Sequence, residues 1–329
     1  METQDTDLPR KLSECVAGGL VAPVAPQISV FAAALAEQYH AQAVMFYGSN
    51  LRSRSLDGVL DFYVLQSGQR EQGLWPRVAY HEQVVVSEDA ADGTVDRRKQ
   101  GEQKLQAKVA VMNLATFLHA AGGYHLDTTV WTRFVQPAAL VWQADDAAGA
   151  AVNDAICQAV RTAAQFAAVL GPREGTERSF WQALFRATYR AELRIEKPGR
   201  EEQILDYGAA HFDGLLTAAW DAAGIAYCQQ GDALEPLLSQ GFVQEAQTRW
   251  ERRRLAGKPL NLVRLLRAAM TFNGGARYLA WKVERHTGAR VPLSAFAERH
   301  PLLSLPAILS AYLGARRRAR SSDQPASER

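Results

Sequence analysis

The sequence has few cysteines, no long hydrophobic run and little excess charge of either sign. Its 329 residues include three cysteines, which lie far apart: Cys15, Cys157 and Cys228. They form neither a disulfide framework nor a ligand pair, and a reducing cytosol fits them best. Residues 16–36 are rich in apolar side chains, but Pro23 and Pro26 interrupt them, so they do not resemble the roughly 20 apolar residues of a membrane span. The net charge of +2 predicts no polyanion binder, and no specific nucleic-acid partner is expected.

Several common functional motifs are also absent from the sequence. No glycine-rich dinucleotide fingerprint follows a predicted strand, and no Walker-type loop ends in Gly-Lys-Ser/Thr. The seven histidines do not have the spacing of zinc ligands. The acidic, polar N-terminus does not resemble a signal or transit peptide, so a cytoplasmic protein is expected.

The pattern of apolar residues predicts an α+β protein of two domains, followed by a basic tail. In the first part, helices are expected at 27–40 and 113–121, and strands at 43–48, 59–65, 80–86 and 105–112. Residues 128–135, Pro137 and Leu140–Trp142 are expected to bring the chain along the sheet once more. From residue 146 the sequence is alanine-rich, and helices are expected at 147–170, 177–194, 204–224, 231–255, 260–271 and 274–287. The predicted boundaries are 1–145, 146–300 and 301–329.

The stretch from Val44 to Val64 contains the most informative local pattern. An apolar run ends at Tyr47, the small polar residues Gly48 and Ser49 follow, and a second apolar run has Asp61 in its middle. This pattern predicts a strand, a tight turn and a strand that presents a carboxylate. Nucleotidyltransferases of the polymerase-beta type have this arrangement: the turn holds triphosphate oxygens, and acids hold Mg²⁺.

Asp61 is the strongest candidate for a metal ligand, because a carboxylate inside an apolar strand needs a metal or a cation beside it. Asp57 is a second candidate, although a turn-capping role explains it equally well. The common superfamily spacing places two acids one residue apart, whereas this sequence has Tyr63 at the second position. The alternative for Asp61 itself is a strand-edge residue that faces solvent.

Two cations are candidates for neutralising phosphate charge. Lys108 lies within an apolar strand pattern, and Arg133 lies in the segment Thr132–Pro137. A buried lysine needs an anion, and the planar guanidinium of arginine bonds two phosphate oxygens at once. The alternative for each is an outward-facing cation. The charged segment 189–198 also ends a predicted helix, where a solvated face is the simpler explanation.

Taken in order, these motifs resemble the mitochondrial-type (translocator assembly and maintenance) phosphatidate cytidylyltransferases, or CDP-diacylglycerol synthases, which have bacterial homologues. The matching segments are Tyr47–Asn50, Val59–Phe62, Lys108–Val111, Thr132–Pro137, Thr188–Arg194 and Ala269–Tyr278. They extend over residues 40 to 285. The sequence departs from the family pattern in three places, with Asn50 for glycine, Gln136 for lysine and Glu192 for aspartate.

The resemblance implies a nucleotidyltransferase domain followed by a helical, winged-helix-like domain. It implies transfer of CMP from CTP to phosphatidic acid, which yields CDP-diacylglycerol and pyrophosphate in a Mg²⁺-dependent reaction of cardiolipin synthesis. Asp61 and Asp57 would hold the metal, and Lys108 would act with them in catalysis. The substrate-binding residues would be Tyr47, Gly48, Ser49, Asn50, Arg133, Glu192 and Arg194.

The C-terminal tail predicts contact with a membrane surface. Apolar residues between Leu302 and Leu313 precede Arg316, Arg317, Arg318 and Arg320, a pattern that suits an interfacial helix on an anionic leaflet. The alternative is a packed terminal helix with a solvated basic end. We therefore expect a peripheral protein on the inner face of the membrane.

Two other functions remain open: nucleotidyl transfer to a sugar phosphate, protein or RNA, and a non-catalytic membrane-associated module.

Overall fold

The computed structural model describes residues 8–72, 76–86, 102–192 and 199–271, together with Ser310. The chain divides into two compact units. The first comprises Met1–Tyr189 and Gly199–Arg254, and the second comprises Arg190–Pro198 and Leu255–Arg329. Apart from Ser310, the C-terminal tail and the segment 274–287 lie outside the described residues, so the predictions made for them stay predictions. The domain boundary expected near residue 145 likewise stays a prediction.

The first unit is an α+β structure built on a mixed five-stranded sheet, which confirms the predicted fold class. The strands are β1 (Ala41–Tyr47), β2 (Val59–Gln66), β3 (Arg77–Val86), β4 (Glu102–Asn113) and β5 (Ala138–Gln143). Their order across the sheet is β3-β4-β2-β1-β5. Strands β2 and β4 are parallel, and every other neighbouring pair is antiparallel.

One face of the sheet packs against helix α2 (Pro26–Tyr39). Pro26 stands at the first helical turn, where its missing N–H costs nothing, and His40 ends the helix in the left-handed conformation with φ 48°. The core on this face contains Phe31 and Leu35 from the helix and Phe46 and Phe62 from the central strands. Because side chains alternate along a strand, Tyr47 and Asp61 point to the opposite face.

The opposite face is covered by helices that follow β4 and β5. They are α4 (Leu114–Ala121), α5 (Thr129–Phe134) and α6 (Asp146–Leu170). Rings from α4 and α5 contact the sheet, with the centroid of Phe117 5.9 Å and that of Phe134 5.1 Å from Tyr63. Asp145 caps the start of helix α6, and its carboxylate accepts the Ala148 N–H at 2.7 Å.

The remaining elements are helical apart from one hairpin. Helix α1 (Leu8–Leu20) lies at the start of the described chain, and the short helix α3 (Ser49–Ser53) lies between β1 and β2. The later helices are α7 (Glu177–Ala191), α8 (Arg200–Tyr207), α9 (Ala209–Phe212), α10 (Leu215–Ala222) and α11 (Gln240–Thr271). Strands β6 (Tyr227–Gln230) and β7 (Ala233–Pro236) form an antiparallel pair, and Gly175 bridges to Leu234 of β7.

Four predictions of local structure are wrong. Residues 129–134 form helix α5 and not an extended run along the sheet. The helix expected at 204–224 is divided into three, because Gly208 and Gly214 interrupt it. The residues expected to begin a helix at 231 complete the hairpin, and α11 continues through Pro259, where a break was expected.

No helix in the described part of the chain is both long enough and apolar enough to cross a bilayer.

Candidate functional site

Asp61 lies in a row of polar side chains that runs across the sheet. Its register partners are Tyr47 on β1 and Lys108 on β4, and Lys108 is in turn paired with Tyr80 on β3. Paired residues on neighbouring strands present their side chains on the same face. The sheet therefore places a phenol, a carboxylate and an ammonium group side by side, with Asp61 and Lys108 half-buried.

Gly48 brings the backbone against the carboxylate of Asp61. Its φ of 92° and ψ of −158° belong to a region that residues with a Cβ rarely adopt. A Cβ on this residue would also lie 2.9 Å from Asp61 Oδ2. Both the backbone conformation and the available space therefore require glycine here. Ser49, the next residue, is exposed.

Arg133 adds a second cation to the row. Helix α5 positions it so that its Nη1 donates to the Tyr47 hydroxyl at 2.7 Å, and its guanidinium lies 4.9 Å from the centre of the Tyr47 ring. Burial alone would lower the pKa of Arg133, but the neighbouring Tyr47, Tyr63 and Asp61 raise it above its ordinary value. Burial raises the pKa of Tyr47. The pair is thus a protonated phenol and a permanent cation beside Asp61.

An aromatic cluster fixes the positions of Tyr47 and Arg133. The ring centroids of Tyr47 and Tyr63 are 5.7 Å apart, and Phe134 lies 5.7 Å from Tyr47. Phe117 lies 4.9 Å from Phe134 and closes the cluster. Tilted and edge-to-face rings at these distances pack favourably. Sequence analysis did not assign Tyr63 to the site, although a residue two positions after Asp61 on one strand must share its face.

Asn50 and Asp57 form hydrogen bonds within the connection between β1 and β2. Asn50 is buried, and its Nδ2 donates to the carbonyls of Ser55 at 3.0 Å and Asp57 at 2.8 Å. Asp57 is exposed, and its carboxylate accepts from the Ser55 hydroxyl at 3.0 Å. Ser55 Oγ also accepts the Asp57 N–H at 3.0 Å, which is the pattern of a serine turn. The metal and substrate roles expected for these two residues stay predictions.

Two of the expected substrate-binding residues belong to the second compact unit. Glu192 is buried there, at 7% exposure. Arg194 lies outside the described residues. The described geometry therefore unites Tyr47, Gly48, Asp61, Lys108 and Arg133 from the predicted set.

The site has limited capacity for a metal ion. On the same face, the sheet neighbours of Asp61 are Tyr47, Lys108, Val59 and Tyr63, none of which is an acid. The part of the chain that the structure describes contains no group of three or more histidine, cysteine, aspartate or glutamate side chains able to hold a metal. Mg²⁺ often binds to one or two carboxylates together with substrate phosphates and water. Asp61 could therefore supply one carboxylate ligand to a Mg²⁺ ion that takes its other ligands from a bound anion and water.

Comparisons of the sequence with models of known protein families and with curated proteins give no match.

Proposed function

We propose that this protein is a nucleotidyltransferase, and specifically a phosphatidate cytidylyltransferase that uses CTP and phosphatidic acid. The main support is the juxtaposition of Gly48 with Asp61, flanked by Lys108 and by Arg133. A triphosphate carries several negative charges. The two cations can neutralise them, and the carboxylate beside the close backbone can share a metal ion with the phosphates. The lipid acceptor rests on the sequence resemblance and on the predicted basic tail.

The topology supports the finer assignment of the fold. Antiparallel strands β1 and β2, joined by a short helix that begins after Gly48, suit a polymerase-beta-type domain. The later order of α6, the bridge at Gly175, α7, the helices α8–α10 and the hairpin β6–β7 suits a winged-helix-like domain. We infer that residues 1–145 bind the nucleotide.

Each side chain in the row has a role in this proposal. Mg²⁺, when bound, supplies charge neutralisation at the transferred phosphoryl group, and Asp61 would be its carboxylate ligand. Lys108 and Arg133 neutralise phosphate oxygens, while Tyr47 orients Arg133. Phosphatidic acid is already ionised at neutral pH, so the attacking oxygen needs no strong general base. The α-phosphorus of CTP forms a bond to that oxygen, and pyrophosphate leaves with the electron pair of the broken bond.

The proposal is tested by incubating the full chain with CTP, phosphatidic acid and Mg²⁺ and measuring both CDP-diacylglycerol and pyrophosphate. Asp61→Asn preserves shape but removes the charge, and we expect at least about a 100-fold loss of rate, because metal-assisted charge stabilisation contributes several kcal/mol. Asp232→Asn, in the exposed turn of the β6–β7 hairpin, is the matched control and should retain wild-type activity. Full activity of Asp61→Asn, or no product from the wild type, would refute the proposal.

A second candidate is a module that binds a nucleotide without transferring it. This possibility is favoured because Tyr47 and Lys108 flank Asp61, whereas a site for two metal ions would need a further acid there. Binding measured with CTP, ATP, GTP and UTP, followed by product analysis, separates the possibilities. Nucleotide binding without pyrophosphate release indicates the non-catalytic module. Pyrophosphate release that depends on a sugar phosphate, protein or RNA indicates another acceptor.

A further inference from the structure

Three large apolar side chains are exposed together at the end of helix α4 and in the loop after it. Leu118, Tyr124 and Leu126 are 36%, 72% and 49% exposed, and we call them the 118–126 patch. The Tyr124 ring lies 5.0 Å from His119, which in turn lies 4.8 Å from His125. Contact between these rings holds the loop against α4 while its apolar side chains face outward. Three large exposed apolar side chains within nine residues of the chain make this segment a candidate interaction surface.

Positive side chains from two parts of the first unit lie near the loop of the patch. Arg70, in the segment after β2, is close enough to His119 and His125 that its charge adds to the effect of burial in lowering the pKa of both. On α11, Arg253 donates to the carbonyl of Gly123. Arg249 Nη2 lies 3.6 Å from the position that a Cβ on Gly123 would take. The loop therefore lies within a cationic environment.

Two acids next to these groups in the chain, Glu71 beside Arg70 and Asp127 directly after Leu126, are bonded to backbone groups. Glu71 accepts the Asn113 N–H at 2.9 Å, and Asp127 accepts the Thr129 N–H at 3.0 Å. Their charge is thus directed toward the starts of α4 and α5, whereas Arg70 is exposed and Arg249 half-buried. A positively charged surface with aromatic and leucine side chains at its tip complements an anionic bilayer.

We propose that the 118–126 patch inserts into the headgroup region of an anionic membrane. Tyr124 lies in the interface, where tyrosine is favoured, Leu118 and Leu126 reach the acyl boundary, and Arg70 and Arg249 face the lipid phosphates. This contact goes beyond the proposed reaction, because bilayer binding requires no nucleotide transfer. It is also distinct from the contact expected of the C-terminal tail.

The test is co-sedimentation of the full chain, without nucleotide, with vesicles of phosphatidylcholine alone or mixed equally with phosphatidylglycerol. We expect the wild type to favour the anionic vesicles. The double variant Tyr124→Ser/Leu126→Ser should lower the partition coefficient by at least about tenfold, because it removes two large apolar side chains from the proposed contact. Arg70→Gln should lower binding to anionic vesicles only, and added salt should reduce its effect.

Matched variants show whether the effect belongs to this surface. Tyr207 and Leu237 are 70% and 53% exposed elsewhere on the same unit, so Tyr207→Ser/Leu237→Ser should bind vesicles like the wild type. Tyr124→Trp should retain binding, because tryptophan also favours the interface. Thermal unfolding of each variant confirms that it is folded.

Equal partitioning of the 118–126 and 207/237 variants would overturn the proposal, as would equal binding of the wild type to neutral and anionic vesicles. Loss of self-association in the 118–126 variant, measured by light scattering with vesicle binding unchanged, would assign the patch to a second copy of the chain. Patch-dependent vesicle binding by a protein that releases no pyrophosphate would leave this inference intact and refute the proposed reaction alone.

Discussion

At the scale of the single residue, Gly48 is constrained both by its backbone conformation and by the space beside the Asp61 carboxylate, and substitutions can distinguish these two constraints. Its φ is 92°, and a Cβ there would meet the Asp61 carboxylate. Gly58 has a similar φ of 82°, but a Cβ there would have nothing within 4 Å. The two glycines therefore share the same backbone requirement, and only Gly48 has a steric one.

We expect Gly48→Ala and Gly58→Ala each to lower the free energy of unfolding by about 1–2 kcal/mol, because both hold alanine at a positive φ, which residues with a Cβ rarely adopt. Only Gly48→Ala should also weaken nucleotide binding and activity, because it displaces Asp61. Chemical denaturation and nucleotide titration measure the two effects. Equal loss of nucleotide binding in both variants would contradict a specific role for the contact between Gly48 and Asp61.

His211 connects helix α9 to the end of helix α5. Its Nε2–H donates to the Val135 carbonyl at 3.0 Å, and a Cβ on Gly19 of helix α1 would lie 3.4 Å from its Nδ1. Burial lowers the pKa of His211 below its ordinary value. As the pH falls below the ordinary value of about 6.5, the unfolded state binds a proton more readily than the folded state, so the free energy of unfolding decreases.

We therefore expect His211→Gln, which keeps a donor but does not titrate in this range, to lose less stability than the wild type between pH 7 and pH 5. Thermal unfolding across that range measures the slope. His40→Asn is the control, because it removes an exposed histidine from a left-handed position that asparagine tolerates. An unchanged slope in His211→Gln would show that protonation of His211 does not limit acid stability.

Elements with defined ends were predicted well from sequence, and those decided by packing were not. Helix α6 was predicted within one residue, because Asp145 caps its start and Gly171-Pro172 follows its end. Residues 129–134 favour a strand by propensity, yet Val130, Trp131 and Phe134 are spaced to share one helix face and are all buried. The hairpin β6–β7 had a detectable two-residue turn, Gly231-Asp232, with Gly231 at φ 59°.

The sequence predicted only those parts of the candidate site that depend on residues close together in the chain. Gly48 and Asp61 were identified from the apolar runs around them, and the register of β1 and β2 brings them together. The pairing of Asp61 with Lys108 depends on a parallel contact between distant strands, and the bond between Arg133 and Tyr47 spans 86 positions. Propensity and periodicity contain no information about such contacts.

At the scale of the whole molecule, the first compact unit joins the sheet to helices on both sides of residue 145. Helix α1 contacts α6, α10 and β5, and α6 contacts β1 and β5. Helix α10 buries Leu216 completely, while Leu60 is completely buried in the sheet. Since helix α1 contacts both the later helices and the sheet, loss of packing in either part should lower the stability of the other.

We expect Leu216→Ala to lower the free energy of unfolding by about 2–5 kcal/mol, as deletions in a buried core do, and to lower hydrogen-exchange protection of β1 and β2 amides by the same amount. Leu60→Ala should lower protection in α6 and α7 reciprocally, whereas Leu237→Ala, at an exposed position, should change neither. Native-state hydrogen exchange measures these effects, because amides that exchange only by global unfolding report the same free energy throughout a cooperative unit.

If Leu216→Ala left the strand amides protected, the sheet and the later helices would unfold independently, as the predicted boundary near residue 145 requires. Coupled loss would instead mean that the proposed nucleotide site depends for its stability on helices that contribute none of its side chains.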